Sequence, residues 1–105
     1  MSTIKANRGI VTQVNVFTCQ PENQQALIDL LIESARSVCH VPGWLSANIH
    51  RSIDGTRVVN YAQCESYQAA EEIIEKLKAG GFLDRNKLLG EANPGLYEVV
   101  FTLQR

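Results

Sequence analysis

Hydrophobic and polar positions change rhythm several times along this chain, and each change marks an element. From Ile10 to Thr18 the side chains alternate, with Val11, Gln13, Asn15 and Phe17 on one side and Ile10, Thr12, Val14 and Val16 on the other. Most are β-branched or apolar, which predicts a strand covered on both faces. Pro21 then suits the first turn of a helix, with Glu22 beside it favourable to the helix dipole, although Gln20 is a poor cap. Along this helix, which runs to about His40, Leu27, Leu30, Leu31, Ser34 and Val38 form one stripe. Ile28, Ile32, Ala35 and Cys39 form a second beside it. An arc that wide exceeds what packing on one sheet requires, so the helix is expected to line a cavity or touch another subunit.

Pro42-Gly43 ends the helix and opens a second strand, Trp44 to Ser52. Ser52-Ile-Asp-Gly-Thr56 fits a type I turn followed by a glycine bulge, and a third strand runs from Arg57 to Cys64. Ser66 is a suitable N-cap for a second helix with Ala70, Ile73, Ile74 and Leu77 inside, stopped by Gly80-Gly81. A short helical piece around Phe82 to Leu89 and a turn at Asn93-Pro94-Gly95 lead to a last strand, Leu96 to Leu103. The order β-α-β-β-α-β predicts a ferredoxin-like α+β fold with a four-stranded antiparallel sheet, its first and third strands central. Both helices cover one face of such a sheet. The other apolar face needs a cover of its own, and self-association into a homodimer is the simplest.

The chain has 105 residues, which sets a single domain at 10–105 behind a short N-terminal extension at 1–9. Its formal net charge is -1 and it has no basic block, which argues against nucleic acid as a partner. No apolar run resembles a signal peptide or approaches the length of a membrane span. Cys19, Cys39 and Cys64 are too far apart for a Cys-x-x-Cys motif, and an odd count points to reduced thiols in the cytoplasm. His40 beside Cys39 is no metal site, because neighbours on a helix face different ways.

The candidate chemistry sits on the hairpin. A three-residue loop at Ile53-Asp54-Gly55 pairs Ser52 with Thr56, so that one face carries Trp44, Ser46, Asn48, His50, Asn60 and Cys64. Leu45, Ala47, Ile49, Val59 and Tyr61 fall on the other, the expected assembly face. A two-residue loop would slip the register by one and part His50 from Asn60. Polar groups among apolar neighbours suggest a pocket, since a dry core would cost about 1–3 kcal/mol for each lost partner. Asn60 is mid-strand, where asparagine is disfavoured.

Two segments carry a family resemblance: Val41-Pro-Gly-Trp-Leu-Ser-Ala-Asn-Ile-His50 and Ser52-Ile-Asp-Gly-Thr-Arg-Val-Val-Asn-Tyr-Ala-Gln-Cys-Glu-Ser66. They resemble the antibiotic biosynthesis monooxygenase family, small dimeric α+β barrels. The resemblance implies oxidation of a small phenolic or polyketide-like aromatic by dioxygen, without flavin, haem or metal. By position it assigns Asn60 to hydrogen-bond the reacting oxygen and His50 to move protons. Trp44, Asn48, Cys64, Phe17 and Arg85 would contact the substrate. Where the family has Trp, this chain has Cys64, and a tyrosine common six residues later is here Ala70. Those losses enlarge the expected pocket and take away an apolar wall and a phenol hydroxyl. They leave open a non-catalytic ligand-binding or structural dimer of the same fold, or an isomerase or lyase acting on a small carbonyl compound. The second helix has no histidine to bind haem iron.

Overall fold

The computed structural model describes residues 3–6 and 9–105; of the expected extension, residues 1–2 and 7–8 lie outside the described residues. The elements follow the expected order. They are β1 (Val11–Cys19), a 3₁₀ turn at Pro21–Asn23, α1 (Gln24–Val38), β2 (Trp44–Arg51), β3 (Arg57–Cys64), α2 (Tyr67–Ala79), α3 (Phe82–Lys87), β4 (Gly90–Glu91) and β5 (Pro94–Glu98). The sheet runs β2-β3-β1-β4, with β5 also paired to β1, so β3 and β1 are central in an α+β ferredoxin-like fold. The core under α1 is Phe17, Leu27, Ile28, Leu31 and Val58, while Cys64, Ala69 and Ala70 form a smaller cluster where α2 meets the sheet.

Local chemistry accounts for the element ends. Ser66 caps α2, its hydroxyl accepting the Ala69 N–H at 3.1 Å. Gly43 has φ +91°, and a Cβ there would stand 2.6 Å from that of Ala69. Only glycine allows both that backbone and so close an approach of the β2 entrance to α2.

The sheet has five strands, not four, because its edge is broken in two. β4 pairs with the end of β1 and β5 with its beginning. At the break the Asn93 N–H donates to the Asn15 side chain at 3.0 Å, and Pro94 has no N–H to continue a ladder. β5 also stops at Glu98, short of the expected Leu103. Glu98 pairs with Val11, the first residue of β1, and among the described residues no strand lies beyond it to pair with. Residues 99–105 therefore run on without regular structure, leaving Phe101 at 72% and Leu103 at 85% exposure.

The hairpin register corrects the expectation. Arg51 pairs with Val58, His50 with Val59, Ile49 with Asn60 and Asn48 with Tyr61. Ser52 faces Arg57 across a longer loop, donating its N–H to the Arg57 carbonyl at 3.1 Å. Two features hold this register. Asp54 accepts the Thr56 N–H at 3.0 Å and hydroxyl at 2.7 Å. Gln24, at the start of α1, donates from Nε2 to the carbonyls of Ser52 at 3.2 Å and Arg57 at 3.0 Å. A one-residue slip reverses every β2 side chain relative to β3. Ala47 and Ile49 thus face the helices, while Asn48 and His50 share the open face with Val59 and Tyr61. A bulge between Trp44 and Ser46 returns Trp44 to the helix side, opposite Cys64.

Candidate active site

Between the sheet and the helices lies a cavity of about 390 Å³, within the range usual for small-molecule sites. Gln13, Asn15 and Phe17 of β1 form part of its floor, Leu31 and Ser34 of α1 and Leu77 of α2 its walls, and Phe82 and Asn86 of α3 one end. A recess of about 50 Å³ continues it toward Trp44, Asn60, Ala62 and Cys64. Gln13, Ser34, Ile74, Leu77 and Leu96 line both spaces, which makes them two parts of one site.

Most of the lining is apolar, so its few amides stand out. Asn60 pairs with Asn15 across the ladder and points into the recess, where its buried Oδ1 finds no hydrogen-bond partner among the described residues. Ser34 is already engaged, donating to the Leu30 carbonyl at 2.9 Å. The lone pairs of its hydroxyl remain able to accept.

Of the residues expected at the site, four surround this space. Phe17 is buried in the floor, Trp44 is half-buried at the far wall of the recess, and Asn60 and Cys64 lie between. The other three are elsewhere. Asn48 and His50 line a shallow groove with Ile4 and Tyr61 on the open face, because the register turns them there. The Asn48 amide donates to the Tyr61 carbonyl at 3.1 Å, and His50 is exposed. Arg85 turns outward, since Glu33 of α1 holds its guanidinium in an ion pair of 3.2 Å, and it lies 5.4 Å from the Phe82 ring centroid.

Cys64 is 5% exposed, and burial pushes its thiol pKa up. Its Sγ lies 3.6 Å from the carbonyl oxygens of Val11 and Ser66. These are surroundings of a small buried filler and not of an activated thiolate. Cys64 of β3 and Ala70 of α2 are both buried where that helix meets the sheet, and the recess beside them measures about 50 Å³.

Gln13, Asn15 and Asn86 join the site unannounced by the hairpin motif. The first two were visible as polar positions on the Phe17 side of β1. Asn86, inside a six-residue helix, had no periodic signal to mark it.

Comparison with known proteins follows the same outline. The family model described as antibiotic biosynthesis monooxygenase matches residues 10–79. Tetracenomycin-F1 monooxygenase of Streptomyces glaucescens is 45% identical over 67 residues, covering 63% of this chain. The match spans only 60% of that relative's length. A monooxygenase from the gene ActVA-Orf6 of Streptomyces coelicolor, solved in complex with the ligand nanaomycin D, superposes with a TM-score of 0.81 at 28% identity. That likeness covers 93% of this chain and 94% of the other. SnoaB, a cofactor-independent oxygenase from Streptomyces nogalater, gives a TM-score of 0.80 at 21% identity over 92% of this chain and 99% of that one. At that identity the likeness is one of fold.

Proposed function

Because the chain belongs to the antibiotic biosynthesis monooxygenase family, we propose that it is a cofactor-independent monooxygenase oxidising a small phenolic or polyketide-like aromatic to a quinone with dioxygen. The observation that carries this reading is the buried Oδ1 of Asn60, without a partner among the described residues, inside a mostly apolar cavity. An orphaned polar atom in such a place costs about 1–3 kcal/mol, a cost that a ligand hydrogen bond removes.

The chemistry needs little from the protein besides binding and electrostatics. Loss of the phenol proton leaves an electron-rich phenolate that transfers an electron to dioxygen. One oxygen atom becomes the new quinone carbonyl, and the other leaves as water with the ring hydrogen and the phenol proton. Asn60 accepts the phenol O–H at its free Oδ1 and, with its amide turned, donates an N–H to the phenolic oxygen as charge develops, where a donor is worth most. Phe17 and Trp44 shape the apolar walls and keep water from the intermediates. His50 has no place in this scheme within one chain, since it lies across the sheet. The phenol proton leaves to water at the open end of the cavity.

The protein would act as a cytoplasmic homodimer. The open sheet face carries Val14, Val16, Val59 and Tyr61, and the segment after β5 exposes Val100, Phe101 and Leu103. A second copy covers both at once.

Cys64 and Ala70, in place of two aromatics, favour a second reading, a ligand-binding dimer without oxygenase chemistry. Oxygen uptake with hydroxynaphthalenes and anthrones under air separates the two. Consumption of one dioxygen per quinone formed supports the oxygenase, and binding without uptake supports the binding module.

A further inference from the structure

Asn86 carries a further buried polar atom of this site without a partner among the described residues, beside Asn60 Oδ1 and Gln63 Nε2 of the recess. Its residue is 6% exposed, and its Oδ1 is buried with no hydrogen bond among the described residues. It is the Asn86 backbone carbonyl that closes the end of α3, accepting the Leu89 N–H at 3.0 Å. Asparagine is also a weak helix former, so neither propensity nor capping explains it there. The same position occupied by Leu would bury apolar surface against Phe82 and Leu83 at no polar cost.

Its place in the cavity suggests a use. Asn86 lines the main chamber and not the recess, whereas Asn60 lines the recess and not the main chamber. Asn86 and Asn60 therefore line different parts of one mostly apolar space, and the other amide with an unpartnered atom, Gln63, belongs to the recess with Asn60. Terminal amide torsions are soft, so each can swing its oxygen or its NH₂ toward a ligand.

We propose that Asn86 is a specificity-determining residue that binds a second oxygen function of the substrate, remote from the one held by Asn60. The ligand class is then a fused-ring aromatic with hydroxyl or carbonyl groups at both ends, and not a simple monophenol. This rests on the reading of the cavity as a phenol site and adds to it the length and polarity of the occupant.

The test is binding under nitrogen, where turnover cannot intervene, with 1-naphthol and 1,5-dihydroxynaphthalene as probes of one and two oxygens. Wild-type protein should bind the diol about tenfold more tightly, the effect of one good hydrogen bond. Asn86→Leu should lose that advantage and leave 1-naphthol unchanged, and its Tm should hold or rise. Asn60→Ala should weaken both probes. If Asn86→Leu fails to fold, Asn86→Ser is read in the same way. Diol binding unchanged by the substitution, both probes weakened alike, a lowered Tm with binding intact, or no binding of either probe would each overturn the proposal. Oxygen uptake without this discrimination removes the role of Asn86 and leaves the oxygenase reading. Discrimination without uptake does the reverse.

Discussion

Single residues define the site through what they fail to find. The Oδ1 atoms of Asn60 and Asn86 are buried without a hydrogen-bond partner among the described residues, and natural interiors keep few of these without reason. Cys64 is the opposite case, a group with reactive chemistry made inert by burial. Cys19 is buried like it, whereas Cys39 is exposed. A thiol reagent at neutral pH should therefore modify Cys39 quickly and the other two only after unfolding. Rapid labelling of Cys64, located by mass spectrometry, would show that the N-terminal end of α2 opens in solution and that the recess is larger than its static volume. The sequence made Asn60 legible because asparagine is unusual in mid-strand. Asn86 was not legible, because nothing local separates a buried asparagine on a short helix from a solvated one.

Elements were readable where local chemistry decides them and obscure where distant contacts do. The Ser66 cap, the Pro42-Gly43 stop and the polar-apolar alternation of β1 each act within a few residues, and the sequence reading places all three correctly. The register of the β2–β3 hairpin is different. Ser-Ile-Asp-Gly-Thr tolerates loops of two lengths, and the choice is made with help from Gln24, which clamps residues 28 and 33 positions away. That choice moved His50 and Asn48 to the other face of the sheet. The turn itself has a measurable signature. Hydrogen bonds from the Thr56 backbone and side chain and from the Ser52 hydroxyl lower the Asp54 pKa from 3.8 to about 2. A carboxylate depressed in the folded state adds stability that is complete above its unfolded pKa and is lost as pH falls through the folded one. An NMR titration should find the Asp54 midpoint near 2. In Asp54→Asn the decline of stability across that acid window should be shallower, and an unchanged slope would remove the turn from the account of register.

At the scale of the whole molecule, the two faces of the sheet differ, and the register decides which residues each carries. The helix-covered side holds the cavity. The open side, with Val59, Tyr61 and the exposed segment after β5, is suited to a second copy. Sedimentation should give a dimer at micromolar concentration, and Val59→Asp should shift it to monomer by placing a charge in the covered face. A wild-type monomer would contradict the assembly. The need for a cover was visible in the sequence from helices confined to one side, and so was the β3 part of the open face, Val59 and Tyr61, but its β2 part was not, for the reason that displaced His50.

The central claim is that chemistry occurs on the Asn60 side of the sheet and not on the His50 side. Oxygen uptake with a hydroxynaphthalene or anthrone substrate, compared across wild type, Asn60→Ala and His50→Ala, tests it most directly. Removing one preorganised donor to a developing oxyanion costs on the order of 10²–10³ in kcat, so Asn60→Ala should fall by roughly that factor while His50→Ala keeps the wild-type rate. Wild-type inactivity across such substrates, or an Asn60→Ala rate equal to wild type, would contradict the account.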